Sequence, residues 1–405
     1  MATTEGSRHV ALTLYRSLFR LSREYRNARI PLVGVSPLGY DSFAWMKTPK
    51  ELHEATLQQG EVVKNLFHST RSQTDINAAL DGGFAVLRTL RKQLRVLEGA
   101  SEEAREALAA WSSLLEATRS QMRGLPEGAA RGRAGVESVE RAALQLCALS
   151  RPPAPLWEDD AGGSRGDAEA DEEARAASAE LDRIALAVRE SFPDRFPGAG
   201  ACPDGSEAAR KSQLEAISEV LFTRERFRSL PVEWVYDGLD PLLLTRVLEK
   251  RNAVPIAVAI LYQAVASRLG VPSALCQATW HHVDASLSIS GAASLPPDPE
   301  VWLLCVPTAG GGALAVEPGR KGRLLSAERR AELFPMARPR TSTTLADAVS
   351  LWAALARTAV IARQRRGGES EEVADWLYQL LALDPEAPEW EFMLSHEGGL
   401  READP

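Results

Sequence analysis

Few residues in this chain combine the reactivity and the spacing that catalysis needs. Cys276 stands five residues before His281 in the run ALCQATWHHVDASLSI, and His282 follows at once. A thiol becomes a nucleophile when an imidazole takes its proton or a helix N-terminus stabilises its anion. On one strand, however, an odd separation sends Cys276 and His281 to opposite faces, and His282 points away from His281 for the same reason. Cys305 lies inside the apolar run VWLLCV, where burial keeps a thiol protonated and inert. With Cys147 and Cys202 the cysteines form a dispersed set of four without a CxxC pair, which indicates neither a disulfide framework nor a zinc site. A reducing compartment is the simplest inference. No HxxxH or HExxH places two imidazoles on one helical face, and the Gly-rich runs GLPEGAARGRAG and TAGGGAL lack a phosphate-loop lysine.

The second candidate chemistry is recognition of anions. In LTLYRSLFRLSREYR, Arg16, Arg20 and Arg23 recur at helical spacing, opposite an apolar row of Val10, Leu14, Leu18, Leu21 and Tyr25. The same stripe would equally suit a solvated helix face, since arginine stems lie cheaply on helix surfaces. Its setting makes it stand out: the chain of 405 residues carries a net charge of -8. That balance argues against general nucleic-acid affinity, which needs excess Lys and Arg to neutralise phosphates. An anionic partner must therefore meet a local basic patch. The first thirty residues hold Arg8, Arg16, Arg20, Arg23, Arg26 and Arg29 against Glu5 and Glu24, a pattern that a mitochondrial import system could read. No run of eighteen apolar residues predicts a membrane span.

The elements that would position these residues follow from periodicity. After the basic helix, apolar positions at Leu52, Val62, Leu66 and Phe67, then at Ile76, Leu80, Phe84, Leu87, Leu90 and Leu94, predict two further helices and a three-helix bundle over 1–100. Ser101 opens another helix, with acidic residues in its first turn where the dipole favours them. It ends near Gly124. Within 101–176, residues 125 to 176 are biased towards Ala, Gly, Arg and Glu; they are expected to form a mobile acidic linker, with a short helix around Val136 to Leu149. Helical periodicity resumes in KSQLEAISEVLFTRERF and PLLLTRVLEK, followed by the uniformly apolar VPIAVAILYQAVASRLG. The runs ALCQATWHHVDASLSI, EVWLLCV and GALAVEP, parted by Gly and Pro, predict an antiparallel sheet. Over 341–405 two helices close the chain, the second stopping at Asp384-Pro385.

Two family resemblances sharpen this outline. The tripeptide Leu14-Tyr15-Arg16, then Phe67 in VVKNLFHSTRSQTD, then the glycines of LDGGFAVLRTL, resemble the LYR-motif family of small mitochondrial three-helix proteins. The family follows that Phe with Arg, where this chain has His68. Membership implies a sleeve for the acyl chain of a mitochondrial acyl carrier protein, so acyl-phosphopantetheine would arrive on the partner. Leu14, Tyr15, Arg16, Arg20, Arg23 and Phe67 are the residues this resemblance assigns to carrier binding. Carrier proteins are acidic, and guanidinium groups suit both carboxylates and the prosthetic phosphate.

Residues from about 177 to 395 resemble the transglutaminase-like SirB family through five ordered blocks: LFTRERFRS, LLLTRVLEKRNAVPIAVAILYQAVASRLGVP, ATWHHV, AVEPGRKGRLLS and LLALDPEAP. The resemblance implies a papain-like α+β fold over 177–340 and a helical-repeat tail over 341–405. It also implies a thiolate at a helix start, a His and an orienting carboxylate. The family's nucleophile position falls on Pro255, its histidine on His281 and its carboxylate on Glu317. Pro255 suits a first helical turn but is no nucleophile.

The expectation is therefore an α+β protein, mostly α: an N-terminal three-helix LYR-type bundle, a mobile linker, a transglutaminase-like domain and a C-terminal helix pair. In function it would be a mitochondrial matrix adaptor, assembly factor or structural subunit, binding acylated acyl carrier protein and other proteins, with no catalysis, metal or cofactor of its own. The alternative is a cysteine hydrolase or amidotransferase with a relocated nucleophile.

Overall fold

The structure, a computed structural model, describes residues 10, 12–17, 20, 84, 87, 91, 101–122, 129–150, 163–196, 205–278, 301–326, 345–366 and 370–383. It is mostly helical with some strands, and it divides into two compact units, one of residues 1–123 with 349–405 and one of residues 124–348.

In the first unit, α1 (Glu102–Met122) begins at Ser101, whose hydroxyl accepts from the Ala104 amide at 3.0 Å, the N-cap that the sequence predicts. The same hydroxyl donates to Asp375 at 2.6 Å, fixing α1 to the last described helix, α8 (Ser370–Leu383). The preceding helix, α7 (Leu345–Arg365), contributes Trp352, which stacks on Trp111 with ring centroids 5.9 Å apart. The Trp111 indole donates to Gln379 at 3.0 Å, so this core pairs its polar atom as well as burying its rings. The terminal helices thus complete the unit of α1. The sequence outline had placed them as a tail on the preceding domain, because periodicity shows which face is apolar and not which neighbour covers it.

The three-helix bundle expected over 1–100 lies almost wholly outside the described residues. Those that are described are helical at Val10, Leu12–Ser17, Arg20, Phe84, Leu87 and Arg91.

The second unit is organised around α6 (Pro255–Arg268). Ile256 through Ala266 are all buried, as expected of a helix that is apolar all round. It closes on Gly270 at φ +74, with the Val271 amide bonded back to Ala266 at 2.9 Å, a left-handed stop that glycine reaches without a Cβ clash. Around α6 pack α2 (Ala129–Leu149), α3 (Gly163–Ser191), α4 (Glu207–Ser218) and α5 (Leu244–Lys250).

On α6 also lies an antiparallel meander in the order β3 (Ala274–Ala278), β4 (Val301–Pro307), β5 (Ala313–Glu317) and β6 (Arg323–Leu324). The described strands match the three apolar runs, of the first of which only Ala274–Ala278 lies among the described residues. The sheet's fourth strand was missed because two residues carry no alternation to detect. Leu303 to Val306 on β4 are fully buried, so neither face of the central strand meets water.

Of the segment expected to be a linker, 129–149 and 163–176 are helical, the first containing the short helix expected around Val136 to Leu149, while 125–128 and 151–162 lie outside the described residues. Helix α2 buries Ala134, Val136, Val139, Ala142, Ala143, Leu146 and Cys147, while α3 buries Ala177, Leu181, Ile184, Ala185 and Val188, these last all beyond the expected linker. The Ala, Glu and Arg bias that suggested disorder is also a strongly helix-forming composition. Small alanines then let the backbones approach. Arg268 at the end of α6 ties the three helices together: it clasps Glu140 of α2 at 2.6 and 2.8 Å, and reaches Ser178 and Asp182 of α3 at 3.0 and 2.6 Å. Burial works against its charge, but Glu140 and Asp182 outweigh that and hold the guanidinium pKa above its ordinary value.

Candidate functional site

The site follows from the start of α6. Val254 enters in extended conformation, and its amide donates to the Pro241 carbonyl at 2.9 Å. Pro255 takes the first helical position, where its fixed φ favours initiation and its missing N–H leaves nothing unsatisfied. Just upstream, β2 (Asn252–Ala253) runs parallel to β1 (Arg228–Ser229), pairing Ser229 with Ala253. Across from both lies Gly319, in the 3-10 turn Pro318–Arg320 that follows β5. A Cβ on Gly319 would stand 3.5 Å from Ser229 Oγ and 3.6 Å from Pro255 Cβ.

Ser229 therefore brings a hydroxyl beside the helix start, although the linear sequence places none there. Sequence reasoning missed it because a parallel bridge of two residues leaves no periodic signal. Its remaining clue was its place as the last residue of the block LFTRERFRS.

Glu317 closes β5 beside this turn and is only 8% exposed. It is paired across the sheet with Arg323 of β6, whose Nη2 donates to Oε2 at 3.0 Å, while Arg320 Nε lies 3.0 Å from Oε1. Each carboxylate oxygen thus already faces a guanidinium. Such a carboxylate is positioned to fasten the turn after β5.

A second polar cluster lies under the same turn. The Tyr262 hydroxyl, wholly buried on α6, donates to the Leu214 carbonyl at 2.8 Å and meets Ser218 Oγ at 3.0 Å. Burial pushes its phenol well above the ordinary tyrosine range. Phe222, in the π-helical turn Glu219–Arg224, stacks on the Tyr262 ring at 6.3 Å. Gly322, at φ +70, comes so close to Ser218 that an added Cβ would lie 2.0 Å from its hydroxyl oxygen.

The described cysteines fit structural roles. Cys305 is fully buried on β4, as its apolar run predicts, and Cys276 is half-buried on β3. Cys147 donates to the Ala143 carbonyl at 3.1 Å, and burial pushes its thiol above the ordinary value. His281 and His282 lie outside the described residues, as does Cys202. Among the described residues, no group of three or more His, Cys, Asp or Glu could hold a metal ion.

Residues 175–283 match the family model of the transglutaminase-like superfamily. The match runs from within α3 through α6 and β3, so it covers the helix start at Pro255. Strand β5 and Glu317 lie beyond it. No curated protein and no solved structure matches the chain. Helix α2, which packs on α6 of this transglutaminase-like domain, falls outside the matched span.

Of the residues assigned to carrier binding, Leu14 is 1% exposed, Tyr15 is half-buried, and Arg16 and Arg20 are exposed. Arg23 and Phe67 lie outside the described residues. Leu87 is buried and Phe84 half-buried. Val10, expected on the apolar face with Leu14, is 39% exposed: helical spacing says which residues share a face, not how far along the helix that face is covered. No described helix is long and apolar enough to cross a membrane.

Proposed function

We propose that the chain is a non-catalytic binding protein of the mitochondrial matrix. Its N-terminal segment, resembling the LYR-motif family, docks an acylated acyl carrier protein through Leu14, Tyr15, Arg16, Arg20, Arg23 and Phe67. Its transglutaminase-like domain, resembling the SirB branch, serves protein contacts within a larger assembly. The observation that carries the non-catalytic reading is the start of α6, where Pro255 occupies the first turn on which the superfamily resemblance expects a thiol. Glu317, with Arg323 and Arg320 on its two oxygens, adds support, since a carboxylate so engaged is poorly placed to orient a histidine. For the carrier half, support comes from an amphipathic arrangement with Leu14 inside and Arg16 and Arg20 outside.

The test is co-expression with a mitochondrial acyl carrier protein and native mass spectrometry. The reading expects a one-to-one complex whose mass includes phosphopantetheine and an acyl chain, lost in Arg16→Glu through like-charge repulsion. Absence of any complex would reduce the arginine row to solvated surface.

One observation favours a second reading, a hydrolase or amidotransferase whose nucleophile lies off the family position. The Ser229 hydroxyl and Pro255 both border Gly319, 3.5 and 3.6 Å from where a Cβ there would stand. That reading requires a base, for which His281 is the candidate. It predicts that Ser229→Ala and His281→Ala abolish acyl transfer to an amine or water, whereas the binding reading expects both to leave activity unchanged because there is none.

A further inference from the structure

The short 3-10 helix Val232–Tyr236, in the transglutaminase-like domain, exposes an aromatic side chain that the fold does not use. Trp234 is 55% exposed and Val232 39% exposed, while Val235 is fully buried and anchors the turn. In a 3-10 helix residues three apart eclipse one another, so Pro231, Trp234 and Asp237 form a single stripe. All three are exposed. The stripe is held rigidly: the Leu230 amide bonds to Ala253 at 2.8 Å, Trp234 to Pro231 at 3.2 Å, Gly238 to Val235 at 3.2 Å, and the Pro241 carbonyl accepts from Val254 at 2.9 Å. A fixed backbone leaves only the indole's own two side-chain torsions to be ordered on contact.

Charge defines what such a ridge would accept. From Leu230 to Thr245 the sequence holds Glu233, Asp237 and Asp240 and no lysine or arginine. Asp240 pairs with Lys250, whereas Glu233, next to Trp234 in the chain, and Asp237, at the C-cap of the same turn, are both exposed. An indole face attracts a cation, and carboxylates beside it strengthen that preference and repel anions.

The geometry points to a docking ridge, Pro231–Trp234–Asp237 with Val232 and Glu233, for an arginine-bearing extended segment of a partner protein. Arginine fits better than lysine because its planar guanidinium stacks on the ring while its N–H groups reach a carboxylate. The assignment extends the reading of this domain as a protein-binding module. It can fail while carrier docking stands, because the two are measured on different segments with different partners.

The test uses the full-length protein and two fluorescent synthetic peptides, one alternating Arg with Leu and one alternating Glu with Leu, in fluorescence polarisation at low and physiological salt. The arginine peptide should bind, roughly tenfold more weakly to Trp234→Ala and several-fold more weakly to Asp237→Lys. Asp171→Lys, an equal charge reversal on the exposed surface of α3, should bind like the parent. The glutamate peptide should not bind. Circular dichroism should be unchanged in every variant, since the altered side chains are exposed. Four results would each overturn the assignment: no binding of the arginine peptide, binding of the glutamate peptide, equal weakening by Asp171→Lys, or concentration-dependent self-association abolished by Trp234→Ala. The third would reveal unspecific attraction to an acidic protein, the fourth an interface between copies.

Discussion

Removing the Arg268 guanidinium should loosen α2 from the transglutaminase-like domain. In Arg268→Met the stem keeps its packing, but Glu140, whose side chain is 13% exposed, loses a bidentate partner. Breaking a fully buried pair from one side costs about 3–5 kcal/mol, because the remaining charge is left desolvated. Here both side chains keep some water contact, so the expected cost is about 2–3 kcal/mol. The Asp182 leg contributes little, since that carboxylate is 67% exposed and exposed pairs are worth about 0–1 kcal/mol. A double-mutant cycle separates the two: Arg268→Met with Glu140→Gln should show coupling of about 1.5–2 kcal/mol, and Arg268→Met with Asp182→Asn about 0.5 kcal/mol or less. Hydrogen–deuterium exchange of the full chain is the suitable assay, because two compact units make one global unfolding midpoint ambiguous. Protection should fall in peptides from α2 and the second half of α3, and stay constant in α1 and α8. Unchanged α2 protection would refute the reasoning, as would equal coupling to Asp182 and Glu140.

Three further outcomes follow from single contacts. Gly322→Ala should destabilise by about 2–4 kcal/mol, from positive-φ strain and a collision with Ser218; Ser218→Ala should rescue only part of it, because the Ser218 Cβ would itself lie 2.8 Å away. Hydrogen–deuterium exchange of peptides around Ser218 and Gly322 in the single and double variants checks this. Gln379→Leu should cost about 1–3 kcal/mol by stranding the buried Trp111 indole N–H, read as lost near-ultraviolet circular dichroism. The Glu180 carboxylate is lowered to about 2, first by its hydrogen bond from Arg183 and then, against burial, by that from Arg251. A depressed carboxylate stabilises fully above its unfolded value near 4.5 and loses that contribution as pH falls from there through about 2. Solvent screening reduces the contribution to on the order of 1 kcal/mol; urea titrations of Glu180→Gln should converge on the parent below that window and diverge above it.

What the sequence revealed depended on pattern length. The apolar run of α6, the capped start of α1 and strands β4 and β5 each carry enough residues for a period to show, and each appears where expected. The bridge between β1 and β2, which brings Ser229 to the helix start, is two residues long and depends on contacts distant in sequence. The segment of α2 and the start of α3 misled for a different reason: a bias towards Ala, Glu and Arg reads as burying little, yet it favours helix, and Ala134, Ala142 and Ala143 of α2 are buried. Glu317 could be located from the sequence, but its engagement by Arg323 could not, since that pairing depends on the register of a short edge strand.

The central claim, that this transglutaminase-like domain binds rather than catalyses, is tested most directly by intact-mass labelling. The full-length protein would be exposed to a thiol-directed and a hydroxyl-directed electrophile, each at a small molar excess and short exposure, alongside His281→Ala and Ser229→Ala. The account predicts slow labelling, spread over several sites and identical in both variants. Rapid stoichiometric labelling of one cysteine or of Ser229, abolished by His281→Ala, would contradict it and establish an active nucleophile.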